Sequence, residues 1–418
     1  MRVRLPACLA AVAVAAHATA GAPAPAVNAV AATPPVRAIT AFVELDAGRY
    51  EQQFAQAVAA LRAAQAVFEQ GGFEVQTLRI TTQPFMRYVG ALERRQALAL
   101  LARLEQLGQS SHVLVNIGPA VLDDRPDPAA LEILAAVHGR DGKLDASMIV
   151  AGEDGIHWNT VRAAAHHIWR VAASSPHSQG AFSFAATAML AQGAPFFPGS
   201  WHEGNGGRFA VGLQSASVVA GVFARTHGDA PRAVAELAAA LNGYAERVQR
   251  LAQQVEARTG LKYWGFDSTP APLKEDSIGA AIEAFGPAPL GAPGTLTAAY
   301  VITAAQRQVR GPLVGYAGLM LPVLEDARLA QRWSEGRLSL ADLLSYSAVC
   351  GTGLDTVPLP GDVSEQQLAR LIGDVAVLAY KWHKPLSARL LPVHGRAAGQ
   401  LSEFADPFMV NARLQPLP

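Results

Sequence analysis

The chain has 418 residues with 34 basic and 34 acidic side chains, so it is formally neutral, and only 16% of its residues are charged. No basic stripe could track a phosphate backbone, which excludes nucleic acid as the expected partner. Half the residues are hydrophobic, enough for a large core in about two or three average domains or in one larger barrel.

The first elements are unusual in composition. Met1-Arg-Val-Arg4 precedes an apolar run from Leu5 to Ala16 broken only by Pro6, and Ala16-His-Ala18 and Ala18-Thr-Ala20 offer small-x-small cleavage sites. Residues 1–20 are therefore expected to be a signal peptide for export to the periplasm. Residues 21–35 would be a flexible Ala/Pro-rich lead-in, and residues 36–418 the folded domain. The alternative is an Ala-rich extension on a cytoplasmic protein. Leu5-Pro-Ala-Cys8 looks like a lipoprotein box but has no apolar region before it. Without Cys8, Cys350 is the one thiol, so no intramolecular disulfide can form. No other run is long and apolar enough to span a membrane.

Further along, Val36 to Leu45 reads as a strand, and Phe54, Val58, Leu61, Ala64 and Phe68 as a helix stopped by Gly71-Gly72. Phe73, Val75, Leu78 and Ile80 suggest a strand whose alternation slips once. Leu92 to Leu107 reads as a helix, Val113 to Ile117 as a strand, Asp127-Pro128 as a cap and first turn, and Ser147 to Val150 as a strand. A helix over Thr160 to Ala173, a strand near Phe182 to Leu190 and a loop from Gln192 to Gly207 follow. The glycines of that loop lead into what reads as a helical segment.

From Pro231 to Thr259, Val234, Leu237, Leu241, Tyr244, Val248, Leu251 and Val255 form a 3-4 stripe. It fits a coiled-coil seam of a homo-oligomer, or a helix lying on its own sheet, the preferred reading. Lys262 to Asp267 is expected as a strand, Thr295 to Val309 as a helix and Leu313 to Leu321 as a strand. Ser364-x-x-Gln367 is a capping box, and Leu386 to Val393 a last strand. Strands alternating with helices, with no linker or repeat between them, imply one α/β domain.

The most informative segment is Tyr346-Ser-Ala-Val-Cys350-Gly-Thr-Gly-Leu-Asp355-Thr-Val-Pro-Leu-Pro-Gly-Asp362. Its glycines permit close backbone approach and its prolines stiffen the chain, so it reads as a shaped loop in a pocket. A thiolate at Cys350 would be a nucleophile if Lys384, Arg389 and His394 lie beside it; otherwise Cys350 is a small buried residue. His202 and Glu203 suit proton transfer, or form a solvated pair in a turn. The glycines after them, if they open a helix, would offer N–H groups to an anion. Asp267, Ser268 and Asp355 sit where strands end, at the mouth of a barrel, or else cap turns. Arg389 offers a planar fork to a carboxylate or phosphate, and Lys384 and Arg396 alternate with it; Asp362 reads as structural. No metal motif stands out: there is no His-Glu-x-x-His or Cys-x-x-Cys, and His166 and His167 diverge by about 100° on a helix. No cofactor is indicated.

Eight ordered segments resemble the DUF711 (UPF0210) family, which is related in structure to pyruvate formate-lyase and ribonucleotide reductase. They are Val36–Thr40, Phe73–Thr77, Pro195–Glu203, Phe209–Ala216, Gly265–Ser268 with Asp276-Ser277, Ala317–Asp326, Cys350–Asp362 and Lys384–Arg396. The resemblance implies an α/β barrel of about ten strands with a loop through its centre. In the radical enzymes of that fold the loop carries a hydrogen-abstracting cysteine, and fold alone does not carry that mechanism over. Here Phe404 to Arg413 contains no glycine to hold a radical, and no redox cysteine pair exists. The expectation is a non-radical enzyme for a small polar or anionic metabolite. Its catalytic residues would be Cys350, His202 and Glu203, and its substrate contacts Asp267, Ser268, Asp355, Arg389, Lys384 and His394. The alternative is a binding or scaffold protein, and thiyl-radical chemistry is the outside reading.

Overall fold

The structure, a computed structural model, describes residues 33–417 except Asp141, Asn205 and Cys350. The expected signal peptide, most of the lead-in and Cys350 itself therefore lie outside the described residues.

The strands are β1 (Val36–Val43), β2 (Leu78–Thr82), β3 (Leu114–Val121), β4 (Leu144–Gly152), β5 (Gly155–Ile156), β6 (Phe184–Ala188), β7 (Arg208–Gln214), β8 (Lys262–Ala271), β9 (Gly353–Pro360) and β10 (Leu386–Val393). The first helices are α1 (Tyr50–Gln70), α2 (Met86–Val89), α3 (Arg94–Ser111), α4 (Pro128–His138), α5 (Trp158–Ser174) and α6 (Ala216–Thr226). Then come α7 (Ala230–Thr259), α8 (Ile278–Glu283), α9 (Thr295–Gln306), α10 (Ala327–Ser334), α11 (Leu340–Val349) and α12 (Glu365–Trp382).

One sheet takes all ten strands in the order β8-β7-β1-β2-β3-β4-β6-β10-β9, with β5 folded back on β4. β1, β2, β3, β4 and β6 run parallel, as helical crossovers dictate. β7 and β10 pair antiparallel to the two ends of that set, and each brings a parallel partner, β8 and β9. The mixed α/β architecture and the strand number agree with expectation. Ladder pairing ends at β8 and β9. Between them runs the chain from Leu313 to Pro322, tied by one parallel bridge to Phe266 and another to Asp355.

That segment corrects the expected strand over Leu313 to Leu321. Gly315 and Ala317 have positive φ (77° and 42°), which breaks the extended run. Two further corrections follow. Gly353–Pro360, expected as a loop, is a fully buried strand; its prolines are tolerated because β9 pairs through a ladder on one side only. The helical segment expected after Gly207 is strand β7, so no helix N-terminus stands there. A short apolar run carries too little period to separate the two states.

The local signals at helix ends hold. Asp127 Oδ1 accepts from the Ala129 N–H at 2.9 Å, and Ser364 with Gln367 forms the capping box of α12. The α7 stripe buries Leu237, Leu241, Val248 and Val255 within its own domain, in the company of α1, α9 and β8. No described helix is long and apolar enough to cross a membrane.

One face of the sheet is polar, and the loop before β7 lies on it. Thr40 Oγ1 donates to the Pro195 carbonyl (2.8 Å), Thr81 and Ser200 share a hydroxyl hydrogen bond (2.6 Å), and Asn116 Nδ2 donates to the Pro198 carbonyl (2.7 Å). The inward side chains of β1, β2 and β3 thus satisfy a buried loop backbone that would otherwise be orphaned.

Candidate functional site: an arginine pocket on the polar face

Side chains two apart on a strand share a face, so the polar residues of this face have charged companions on the same strands. Arg79 accompanies Thr81 on β2, and Asp145 accompanies Ser147 on β4. Arg389 accompanies Ser387 on β10. With Arg37 of β1 and Glu325 before α10 they line one cleft of about 760 Å³, its open mouth included. Phe197 of the buried loop, Phe182 before β6, and Asp406 and Phe408 near the C-terminus complete its walls.

All three arginines are buried, and each lies over an aromatic ring. The Cζ-to-centroid distances are 5.1 Å for Arg37 on Phe408, 5.0 Å for Arg79 on Phe197 and 4.1 Å for Arg389 on Phe182. Cation–π contact partly replaces the hydration they lose. Arg389 is ion-paired: Nε donates to the Phe182 carbonyl (3.0 Å), and Nη1 donates to Glu325 Oε1 (2.8 Å) and reaches Asp355 Oδ1 (3.4 Å). Arg37 shares Glu325 through a 3.6 Å ion pair.

Arg79 differs. Its Nε donates to Thr77 Oγ1 at 3.0 Å, and among the described residues its two terminal nitrogens have no partner. Burial, then the nearby Arg37 charge, lowers its pKa to about 9, still above neutrality. Asp145 is the complementary case, a half-buried carboxyl with no ion pair among the described residues. Burial raises it to about 7, against the pull of Arg389 and Arg79. Asp355 is also pushed up by burial and drawn back by Arg389.

The expected site residues divide among several places. Arg389 lines this pocket, and Asp355 pairs with it without being among the lining residues. His202 is fully buried, with Nε2 3.3 Å from the Val43 carbonyl and its ring edge-on to Phe42; burial lowers it to about 4. Glu203 faces outward and pairs with Arg87, so His202 and Glu203 are not brought together. Asp267 is buried and accepts the N–H groups of Thr269 (2.9 Å), Tyr316 (2.9 Å) and Ala317 (3.1 Å), which clamps the irregular segment between β8 and β9. Ser268 is buried nearby, and its carbonyl accepts from Gln306 Nε2 at 3.0 Å.

Lys384 and His394 flank β10, separated by about 30 Å of extended chain, so they do not serve one pocket. Lys384 Nζ donates to the Ser347 carbonyl (3.3 Å), while exposed His394 donates its backbone N–H to Ser178 Oγ (2.8 Å). Asp362 is exposed, and Arg396 pairs with Glu403. Among the described residues no three His, Cys, Asp or Glu side chains converge as metal ligands. Sequence reasoning missed Arg37, Arg79, Asp145 and Glu325. A charge inside a buried strand run, as in Val36-Arg-Ala-Ile and Leu78-Arg-Ile-Thr, was the available signal.

Fold and site together define a mixed α/β protein with a polar cleft built on buried arginines. Residues 31–405 match the sequence profile described as Uncharacterised ACR (DUF711), and the chain belongs to the DUF711 family. A UPF0210 protein of Pyrobaculum arsenaticum is 32% identical over 361 residues, covering 81% of this chain and 78% of the relative. One from Desulforudis audaxviator is 29% identical over 362 residues, covering 80% and 77%. A third, from Bifidobacterium longum subsp. infantis, is 30% identical over 262 residues, covering 60% and 58%.

Proposed function

We propose that the protein is an enzyme that holds a small anionic or polar metabolite in the arginine pocket and acts on it by non-radical proton transfer. The observation that carries this reading is Arg79: a buried guanidinium with two donor nitrogens left over for a ligand. A buried cation without an anion is costly, and a ligand carboxylate or phosphate would relieve it by a charge-assisted fork. Asp145, poised near neutrality in the same cleft, supplies the proton-exchanging group. Cys350 stays in the proposal as a nucleophile on sequence grounds alone.

Calorimetry with acetate, succinate and phosphate on the full chain tests the binding half. Saturable binding of an anion, lost in Arg79→Gln, supports it; no binding of any of them, nor of their amine-bearing counterparts, sinks it. Turnover is tested by incubating the protein with a small-acid metabolite pool, where a consumed component and its loss in Asp145→Asn are expected. A second reading, retention of the ligand without chemistry, is favoured by one observation: neither His202 nor Glu203 lines the pocket. Binding with no consumption would select it.

A further inference from the structure

The charges around the cleft can be matched one against another. Glu325 neutralises Arg37 and Arg389, and Asp355 adds a second acceptor for Arg389. Arg79 and Asp145 line the cleft without an ion pair among the described residues, as do Asp406 and, at the mouth, Lys143. Arg79 and Asp145 stand on β2 and β4 with β3 between them, Arg79 level with Leu114 and Asp145 with Asn116, so their backbones are about 12 Å apart. No ion pair joins them in the structure, and both side chains line the cleft.

We infer that the metabolite is a small zwitterion, an acid that carries an amine such as an α-amino acid, with its carboxylate on Arg79 and its ammonium on Asp145. This rests on the reading of the cleft as a ligand pocket and goes further by naming the ligand class. A purely anionic ligand would satisfy Arg79 but face the Asp145 carboxylate, with Asp406 and Glu325 close by. A purely cationic one would satisfy Asp145 against Arg79 and Arg389. Only a ligand with both charges completes both unpaired groups.

The groups that act on Asp145 are Arg79 from β2, Arg389 from β10, Glu325 from the loop before α10 and Asp406 from the C-terminal segment. Lys143, just before its own strand, is exposed at the mouth. Burial outweighs the cations among them, raises the Asp145 carboxyl to about 7 and holds it partly protonated at neutral pH. An arriving ammonium reverses that balance, so binding near pH 7 should release a proton. The same carboxylate is placed to take a proton from the ligand amine.

The test is calorimetry on the full chain at pH 8 with four pairs of probes: glycine and acetate, L-alanine and propionate, L-aspartate and succinate, L-glutamate and glutarate. At least one amino acid is expected to bind about tenfold or more tightly than its partner lacking the amine, the scale of one charge-assisted hydrogen bond. Asp145→Asn should bring that ratio to about twofold or less without lowering the melting temperature, and Arg79→Lys should keep the preference at reduced affinity. Anions that bind as tightly without the amine overturn the zwitterion inference and leave the anion-pocket reading standing. A preference that survives in Asp145→Asn also overturns it. Failure of all eight probes to bind overturns both.

Discussion

Arg389 Nη1 donates to Glu325 Oε1 at 2.8 Å, which ties the middle of β10 to the loop that precedes α10. Because Glu325 also pairs with Arg37 at 3.6 Å, one carboxylate spans strands from two opposed sets of the sheet. Both faces of the relationship are buried, with side-chain exposures of 9% for Arg389 and 12% for Glu325. Removing the carboxylate would leave Arg389 with Asp355 alone and buried Arg37 with no ion pair among the described residues. Glu325→Ala is expected to cost about 3–5 kcal/mol, read as a lower urea midpoint at unchanged slope. A cost below about 1 kcal/mol, the range of exposed pairs, would show that this ion pair is not structural.

The Asp145 carboxyl makes stability depend on pH in a defined direction. Its folded pKa is raised by burial to about 7, above the ordinary value of 3.8, so the folded state holds the proton more tightly than the unfolded chain. Stability is lost as pH rises from about 4 to 7 and then levels off. Asp145→Asn removes this term. The variant should match the parent near pH 4 and become the more stable of the two by pH 8 in urea titrations. An unchanged difference across that range would contradict the burial of Asp145.

Asp267 should behave as a clamp and not as a ligand contact. Asparagine in its place can keep the N–H bonds of Thr269 and Ala317 but turns the acceptor facing the Tyr316 N–H into a donor. The expected loss is about 1–3 kcal/mol, with anion binding at Arg79 unchanged. Weakened binding in the folded Asp267→Asn variant would move Asp267 into the ligand site.

Gly315 is required by two independent constraints. Its φ is +77°, and a Cβ there would lie 2.0 Å from Asp267 Oδ2. Gly315→Ala is therefore expected to cost more than the roughly 1–2 kcal/mol of left-handed strain alone. Ala317→Gly, at a φ of 42°, should be neutral or slightly stabilising. Thermal melts of the two variants, moving in opposite directions, would check the backbone between β8 and β9.

Much of the fold was legible in the chain because it is written in near-neighbour chemistry. The cap at Asp127, the box at Ser364 and Gln367, the Gly71-Gly72 stop and the α7 stripe depend on residues within a turn or two of each other, and they form as expected. The readings that failed are those where the deciding partner is distant. Leu313 to Leu321 is apolar enough for a strand, but the Asp267 carboxylate gathers its N–H groups. Gly353 to Pro360 looks like a loop by its glycine and prolines, yet an edge position beside β10 accommodates both.

The site shows the same division. Arg389 and Asp355 could be singled out from composition and spacing. That they meet Arg37, Arg79, Asp145 and Glu325 depends on five different strands and a loop before α10 reaching one cleft, across more than three hundred residues of chain. By itself the sequence determined the helices that carry their own period and caps, since these are local energies. It also determined that an arginine in a buried run needs an anion. Only the tertiary structure decided which arginine is left without one, because ion pairing is settled by who is adjacent after folding. Burial then makes the unmatched charges of Arg79 and Asp145 costly.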